Sequence, residues 1–465
     1  MYSKTKSLSV FTLVMMITVS IDSIRNLSLT ALFGTKLIFF FIVGGIGFLF
    51  PTGIIAAELT ANLKNKSGIY AWTKTAFGQH VGFFSIWLQW VNTLVWYPTT
   101  LSFIAGSLLY AIDPAISQTP WVLTALISVI FWALTLVNLR GFSSSARFAS
   151  FCAVIGLIVP LAFIIALSVY WVASGHPVQI HITPKNAFPS FHSSQNWTAL
   201  VAILTSFLGM ELISVHVDKV PKAQTLIPKA ILISCIFILI TMLAGALSIA
   251  VIIPADKISL VSGIMEELHA LLAATHLLWI QPLLALIIVI GALGSTINWI
   301  ISPAQGLLQA SGDHYIPPML GKVNKHNVPA RLLIIQALLV SLTASVFLLF
   351  PDINESYWLL TDLSTELYIT MYAMMFMSAI YLYCKTKTMS SLMCHIGGRS
   401  TLFILCALGI LSCVVTMVMG FVPPSGFYKH SDHHFAMVFS LGLFVMVAPC
   451  ALGYFFQYYH KRRFS

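Results

Sequence analysis

Charged residues are scarce in this sequence of 465 residues. Asp, Glu, Lys and Arg make up 8% of it, whereas 58% is hydrophobic. Because an ordinary soluble protein is about 25% charged, this composition cannot cover a globular surface, and lipid must be the solvent for most of the chain. The net charge of +10 does not indicate nucleic acid binding, since the bases sit in short loops between apolar runs.

Motifs of enzymes and metal sites are also missing from the sequence. It contains no nucleophile elbow, phosphate-binding loop or HExxH motif, and its histidines do not cluster at metal-ligand spacing. The seven cysteines show neither disulfide-framework nor zinc-finger spacing, and we interpret them as small apolar side chains. We therefore predict no enzymatic activity, no metal and no cofactor.

Long apolar runs dominate what the sequence does contain. A helix needs about 20 apolar residues to cross a bilayer core about 30 Å thick. No small-residue cleavage site follows the first run, so we interpret it as a membrane helix rather than a signal peptide. The connections near 175–194 and 255–276 are too short for a soluble domain, so residues 1–465 are predicted to form one all-α integral membrane domain. The twelve runs, numbered as spans 1 to 12, are 8–33, 36–60, 80–112, 120–139, 147–174, 195–217, 227–253, 277–310, 329–350, 356–384, 400–422 and 434–458.

The basic residues predict the orientation of these spans. Of the 24 Lys and Arg residues, 19 fall on the side of the N-terminus, whereas Lys36, Lys185, Lys257 and Lys429 fall on the opposite side and Arg25 on neither. Since basic residues are enriched on the cytoplasmic side of membrane proteins, both termini are predicted to be cytoplasmic.

A few charged residues lie inside the apolar runs and away from the membrane surfaces, unlike Glu58, which is close to the inner face. They are Asp22 and Arg25 in span 1, Glu211 in span 6, and Asp362 and Glu366 in span 10. A charge inside hydrocarbon costs about 2.5–3.5 kcal/mol on insertion scales, and such residues mark functional sites by default. We therefore take all of them as candidate site residues.

Two of the charged stretches are also predicted helix breaks. The stretch SIDSIRNLS (20–28) interrupts span 1, and five spans later span 6 carries Gly209 followed by Glu211. Transporters built from two inverted repeats often bind their substrate at such matched breaks. A role in helix packing accounts for the serines of the first break, but not for its two charges. The resulting division is a first repeat in 1–174, a second in 195–385, and two further helices in 400–458.

Spans 3, 8 and 10 supply further candidates. Asp362 and Glu366 are four residues apart and share one face of span 10, as candidates for proton coupling or gating. Tyr368 and Tyr372 share another face of this span. The remaining candidates are Ser295 and Trp299 in span 8 and the gating candidate Trp96 in span 3.

The stretch FPTGIIAAELTANLKNKSGIYAWT (50–73) resembles a signature of the amino acid–polyamine–organocation superfamily. Residues 195–230, IPADKISLVSGIMEELHALL (253–272) and NWIISPAQGLLQASGDHYIPPMLGKVNKHNVPARLLIIQ (298–336) resemble its glutamate/γ-aminobutyrate antiporter branch. The resemblance implies a LeuT-type fold of 5+5 inverted helices plus two, with helices 1 and 6 broken. It also implies alternating-access exchange of amino acids across a bacterial inner membrane.

The resemblance extends to single site residues. Glu211 matches an acid of helix 6, Trp299 a tryptophan of helix 8, and Tyr368 and Tyr372 a tyrosine pair of helix 10. The chain departs from the antiporter pattern where Arg25 and Asn26 replace a tyrosine-flanked acid and Ser295 replaces an acid of helix 8. The site is therefore expected to keep its framework with altered charges.

These residues predict how a small amino acid would bind at the first break. Freed N–H groups near Ser23–Asn26 would hold the α-carboxylate, with a charge-assisted contact from Arg25. Asp22 or Glu211 would hold the ammonium group, and Gly209 would permit the second break. In the alternative interpretation, Asp22 and Arg25 form a mutual ion pair that fixes the helix break. The predicted walls and gates are Trp299, Tyr368 and Tyr372.

Other functions remain as alternatives. Proton-coupled symport would use titrating acids, but His216 and Asp218 lie near the inner end of span 6, where a cytoplasmic surface is favoured over a proton relay. A transporter-like nutrient sensor would need a signalling extension, for which the few residues after span 12 leave little room. A membrane enzyme has no motif in its favour.

Overall fold

A computed structural model describes residues 10–63, 68–140, 151–152, 154–181, 183, 188–189, 194–212, 223–326, 328–350, 352–385, 398–422 and 432–464. All regular secondary structure in these ranges is helical, as the sequence predicts. The α-helices are α1 (Val10–Ile21), α2 (Ile24–Ala31), α3 (Leu37–Gly44), α4 (Phe50–Asn62), α5 (Ile69–Phe77), α6 (Gln79–Ile112), α7 (Pro114–Ser117), α8 (Pro120–Leu139), α9 (Val159–Ala173), α10 (Ser194–Ser206), α11 (Ala223–Ile252), α12 (Gly263–Ala274), α13 (Gln281–Gln309), α14 (Ala330–Ala344), α15 (Ile353–Lys385), α16 (Gly398–Met419), α17 (Asp432–Val447) and α18 (Cys450–Phe464).

Ten helical segments in the described ranges are long and apolar enough to cross a membrane. Two predicted spans are not among them: span 1, which is a bent pair of helices, and span 6, whose shorter apolar helix Asn196–Leu212 ends at the limit of the described residues. The membrane prediction is thus confirmed, and the count of twelve stays a prediction. The ten segments are Gly34–Asn62, Gln79–Ile112, Pro120–Leu139, Val154–Ala173, Leu226–Ile252, Leu278–Asp313, Ala330–Leu348, Ile353–Lys385, Gly398–Met419 and His433–His460.

The first helix pair breaks inside the stretch SIDSIRNLS. Helix α1 ends at Ile21 and α2 begins at Ile24, with their axes 48° apart. Ser23 has the extended backbone angles φ −147° and ψ 129°, which stop the helical hydrogen-bond ladder. The carbonyl of Val19 accepts instead from the hydroxyl of Ser295 at 3.1 Å, so α13 satisfies a backbone group near the break.

A second irregularity faces the first. Helix α10 ends at Ser206, and a turn over 207–209 leads to a short 3₁₀ segment over 210–212. Gly209 has φ +116°, a left-handed value that favours glycine. A Cβ atom on Gly209 would lie 3.2 Å from the carbonyl oxygen of Ser20, so the glycine also allows close approach of the two irregular segments. His216 and Asp218 lie outside the described residues.

The longest helices form the centre of the molecule, and the last ones form its edge. In the most apolar 18-residue stretch of each helix, 72% of the residues are buried in α6 and 61% in α15. The corresponding value is 17% in the segment His433–His460, which covers most of α17 and α18. The connection at 255–276, which the sequence predicts to be a loop, contains the helix α12. It packs on α2, where a Cβ atom at Gly263 would lie 2.9 Å from the Ser28 hydroxyl.

Candidate functional site

A cavity of about 70 Å³ lies at the break between α1 and α2. Helices α6, α10, α13 and α15 complete its walls. The structure brings most of the predicted site residues to this cavity: Asp22, Ser23, Arg25, Asn26, Trp96, Ser295, Trp299 and Tyr368 line it. The predicted residues that do not line it are Gly209, Glu211, Asp362, Glu366 and Tyr372.

Arg25 is a buried cation at the wall of the cavity, with 6% of its surface exposed. Its Nη1 donates to the hydroxyls of Thr99 at 3.0 Å and Tyr357 at 3.1 Å. The guanidinium carbon lies 5.8 Å from the ring centre of Trp96 and 6.0 Å from that of Tyr357, within the range of cation–π attraction. The Nε group has no hydrogen-bond partner among the described residues.

Asp22 is the acid at the same break, with 3% of its surface exposed. Its Oδ2 accepts from the hydroxyl of Thr241 at 2.7 Å, whereas its Oδ1 has no partner in the described ranges. In those ranges the ion pair that forms is Lys74–Asp313, and Asp22 and Arg25 do not pair with each other. The mutual ion pair considered from the sequence is therefore not formed in this conformation, and each residue keeps a buried polar atom without a partner among the described residues.

The N-terminus of α2 adds a third polar feature to the cavity. Ser23 is its N-cap residue but makes no side-chain capping bond. The first N–H groups of a helix have no carbonyl one turn earlier to bond to and carry its partial positive charge. Here the N–H of Asn26 already donates to the Ser23 carbonyl at 2.9 Å, so the groups that remain are those of Ile24 and Arg25. An anionic group can therefore bind here through the backbone.

Glu211 does not line the cavity but lies in a cluster of hydrogen-bonded side chains next to it. Its Oε1 accepts from Gln89 Nε2 at 2.9 Å and from the hydroxyl of Tyr368, and its Oε2 accepts from the hydroxyl of Tyr372. The same Tyr372 hydroxyl accepts from the N–H of Gly209 at 2.8 Å. The predicted set of Glu211, Tyr368, Tyr372 and Gly209 thus forms one cluster, and Tyr368 connects it to the cavity.

Two tryptophans form an aromatic wall. The rings of Trp96 and Trp299 lie 4.8 Å apart at 34°. The Tyr97 hydroxyl donates to the Trp299 carbonyl at 2.8 Å and ties α6 to α13. The two predicted tryptophans therefore act together as one surface.

The acids of α15 lie elsewhere. Asp362 and Glu366 are both buried, with 5% and 7% of their surface exposed. A Cβ atom on Gly420 would lie 2.8 Å from Glu366 Oε2, so this acid points towards the end of α16 rather than to the cavity. Any role of this pair is separate from direct contact with a molecule in the cavity.

Several partners of the charged residues were missed from the sequence: Gln89, Thr99, Thr241 and Tyr357. Of these four residues, only Gln89 could have been recognised from the sequence as a polar partner, because it is an amide inside an apolar run. Threonines and tyrosines are common in such runs, and many threonine hydroxyls in the described residues bond to a carbonyl of their own helix. Their second role appears only when the helices are assembled.

The sequence is similar to those of known membrane transport proteins along most of its length. The family model described as amino acid permease matches residues 8–448. The chain is 35% identical over 421 residues to an uncharacterized transporter of Legionella pneumophila, covering 90% of each chain. It is 26% identical over 414 residues to a glutamate/gamma-aminobutyrate antiporter of Lactococcus lactis, covering 88% of this chain and 82% of the relative. It is also 26% identical over 344 residues to an arginine/ornithine antiporter of Pseudomonas aeruginosa, covering 70% of this chain and 67% of the relative.

Proposed function

Because the chain belongs to the amino acid permease family, we propose that it is a secondary active amino acid transporter that exchanges amino acids by alternating access. The observation that carries this proposal is the pair of half-satisfied charges at the helix break. Asp22 Oδ1 and Arg25 Nε are buried without partners among the described residues, and both side chains line one cavity. Buried polar atoms without partners are costly, and the ammonium group of a bound amino acid supplies the donor that Asp22 Oδ1 lacks.

The proposed binding mode follows the polarity of the cavity. The α-carboxylate binds at the N-terminus of α2, near Ser23–Asn26. The α-ammonium group donates to Asp22 Oδ1, because that is the carboxylate oxygen without a partner. Trp96, Trp299 and Tyr368 form the walls around the substrate. Ser295 holds the Val19 carbonyl and so keeps the break in place from the side of α13.

The Glu211 cluster has a supporting role in this proposal. It joins the 3₁₀ segment that follows α10 to α6 and α15 through Gln89, Tyr368 and Tyr372. Tyr368 lines the cavity and donates a hydrogen bond to Glu211. Binding or release of the substrate is therefore transmitted to the second irregular segment through this one side chain. We assign Gly209 and Tyr372 to the conformational change at this segment rather than to substrate contact.

The proposed architecture extends the described helices to a full transporter. Twelve spans form two inverted repeats of five, in 1–174 and 195–385, followed by two helices in 400–458, as in the LeuT-type fold. The bend of 48° between α1 and α2 and the end of α10 at Ser206 support two matched breaks. We place the protein in a bacterial inner membrane with both termini in the cytoplasm, on the basis of the basic residues.

Proton-coupled symport is the second candidate, and one observation favours it. Asp362 and Glu366 are buried acids outside the cavity, and the described residues offer neither an ion pair. Such acids can carry protons through a transport cycle. Exchange and symport differ in what they require on the far side of the membrane, which makes them separable by transport assays.

Reconstituted proteoliposomes test the proposed function. We expect labelled amino acid to enter only when the vesicles are preloaded with unlabelled substrate, because an exchanger needs a counter-substrate. Uptake into empty vesicles that follows an inward proton gradient would favour symport instead. The double variant Asp22→Asn with Arg25→Ala should abolish uptake in either case. Normal uptake by this variant would remove the cavity from the transport pathway.

A further inference from the structure

Arg25 has no counter-ion among the residues that the structure describes. Within the described ranges its partners are two neutral hydroxyls and two aromatic rings, and no carboxylate pairs with it. Its Nε remains without an acceptor. A guanidinium stays charged at any physiological pH, so the wall of the cavity carries a permanent positive charge.

The cavity holds one acid to set against this charge. Among the described residues that line it, Asp22 and Arg25 are the charged ones. Asp22 has one free oxygen, and in the proposed binding mode the α-ammonium group of the substrate takes it. A second cation on the substrate then finds no free carboxylate and meets the guanidinium instead.

The position of the guanidinium is fixed from two other helices. Thr99 belongs to α6 and Tyr357 to α15, and the rings of Trp96 and Tyr357 lie against the charged group. Because four contacts hold it, Arg25 cannot swing away to make room for a cationic side chain without losing all of them. The repulsion is therefore built into the wall.

We infer that Arg25 sets the charge selectivity of this site, admitting amino acids with neutral or anionic side chains and rejecting substrates with a second cationic group, such as arginine, ornithine and agmatine. The inference rests on the proposed function. With an effective dielectric constant of about 20, a second cation at about 6 Å from the guanidinium is disfavoured about 100-fold.

The same contacts also link α2 to α6 and α15, so Arg25 could serve only to hold the cavity closed. The two roles make different predictions. Loss of a mechanical link changes the transport of all substrates by the same factor. Loss of a charge filter changes the ratio between cationic and neutral substrates.

The experiment compares wild type with Arg25→Gln, Arg25→Lys and the control Lys257→Gln, which removes an exposed basic residue that does not line the cavity. Binding to purified protein and exchange in proteoliposomes are measured for alanine, serine, glutamate, arginine, ornithine and agmatine. Binding is included because a variant that exchanges slowly still reports its selectivity.

We expect wild type and Lys257→Gln to accept neutral or acidic amino acids and to bind the cationic compounds at least 100-fold more weakly. Arg25→Gln should narrow this ratio to less than 10-fold, and Arg25→Lys should preserve it because the charge remains. The inference is overturned if wild type binds the cationic compounds equally well, or if Arg25→Gln changes all substrates by one factor. Wild type that exchanges none of the amino acids overturns the proposed function itself, and the selectivity inference with it.

Discussion

Asp22 and Glu211 are both buried acids that follow the end of an α-helix, but their hydrogen-bond environments differ. Glu211 accepts three hydrogen bonds, from Gln89, Tyr368 and Tyr372, and does not line the cavity. Asp22 accepts one side-chain bond, from Thr241, lines the cavity, and has a second carboxylate oxygen without a partner among the described residues. The comparison separates an acid whose oxygens are both hydrogen-bonded from one with an unpartnered oxygen, which the proposed binding mode assigns to a ligand.

This difference matters because sequence patterns flag both residues equally. A charge in an apolar run predicts a functional role without saying which one. The number of satisfied atoms makes the distinction, since an atom that is buried, unpartnered and next to a cavity has a reason to bind something. Four predictions test this rule, ordered from the largest expected effect to the smallest.

The largest effect is expected for Glu211→Ala. It leaves three buried donors without their acceptor, and each unsatisfied group costs about 1–3 kcal/mol. Since folded proteins are stable by only about 5–15 kcal/mol, we expect a severe loss of folded material, measured as monodisperse yield and melting temperature in detergent. Glu211→Gln, which keeps an acceptor of the same shape, is the matched control and should be less damaged. A normal melting temperature for Glu211→Ala would contradict the role of Glu211 in holding these helices together.

Asp22→Asn should show the opposite pattern. The amide oxygen still accepts from Thr241, so the melting temperature should stay within a few degrees of wild type. Loss of the charged acceptor for an ammonium group is worth about 1.5–3 kcal/mol, and substrate exchange should therefore fall roughly 10- to 100-fold. Thr241→Val is the control, because it removes the satisfied bond and keeps the charge. If Asp22→Asn unfolds the protein and Thr241→Val abolishes exchange, the assignment of roles is wrong.

Glu267 sharpens the comparison, because both of its oxygens lack partners in the described ranges and it does not line the cavity. Burial raises the pKa of the Glu267 carboxyl well above the ordinary value of 4.5. The folded protein therefore keeps a proton that the unfolded chain releases. The resulting stability is fully present below pH 4.5 and is lost as pH rises towards the raised pKa, by about 1.4 kcal/mol per pH unit.

Glu267→Gln removes this titration. We expect the variant to melt above wild type at pH 8, with the gap narrowing at pH 5, in a thermal melt repeated across that range. Asp256→Asn, on the exposed part of the same connection, should not change the pH dependence. A wild-type melting temperature that rises from pH 5 to pH 8 in step with that of Glu267→Gln would contradict this account.

The smallest effect is expected for the ion pair between Lys74 and Asp313. Their side chains are 40% and 21% exposed, and pairs of this kind contribute about 0.2–1 kcal/mol. Lys74→Met should shift the melting temperature by only a degree or two and leave substrate affinity unchanged. A loss of stability comparable to that of Glu211→Ala would show that exposure is a poor guide to the weight of a charge in this protein.

Much of the fold was accessible from the sequence, because membrane helices are specified by a simple pattern. Ten of the predicted spans coincide with apolar helices, and the break at Asp22–Ser23 falls inside the stretch that the charges had marked. Helix α12 was missed because its twelve residues are too few to span a membrane and carry Glu266 and Glu267.

The site was accessible only in part. Charges and aromatics named most of its walls, but the partners that fix them lie far away in the chain, such as Tyr357, which is 332 positions from Arg25. A single sequence does not specify which side chains meet across helices. It therefore could not say that Glu211 is satisfied and Asp22 is not.

The central claim is that Asp22, whose Oδ1 has no partner among the described residues, holds the ammonium group of the substrate at the first helix break. Equilibrium binding of a labelled amino acid to purified wild type, Asp22→Asn and the surface control Lys257→Gln tests it most directly. The account predicts equal affinity for wild type and Lys257→Gln, and at least a 10-fold loss for a folded Asp22→Asn protein. Equal affinity in all three proteins would contradict it.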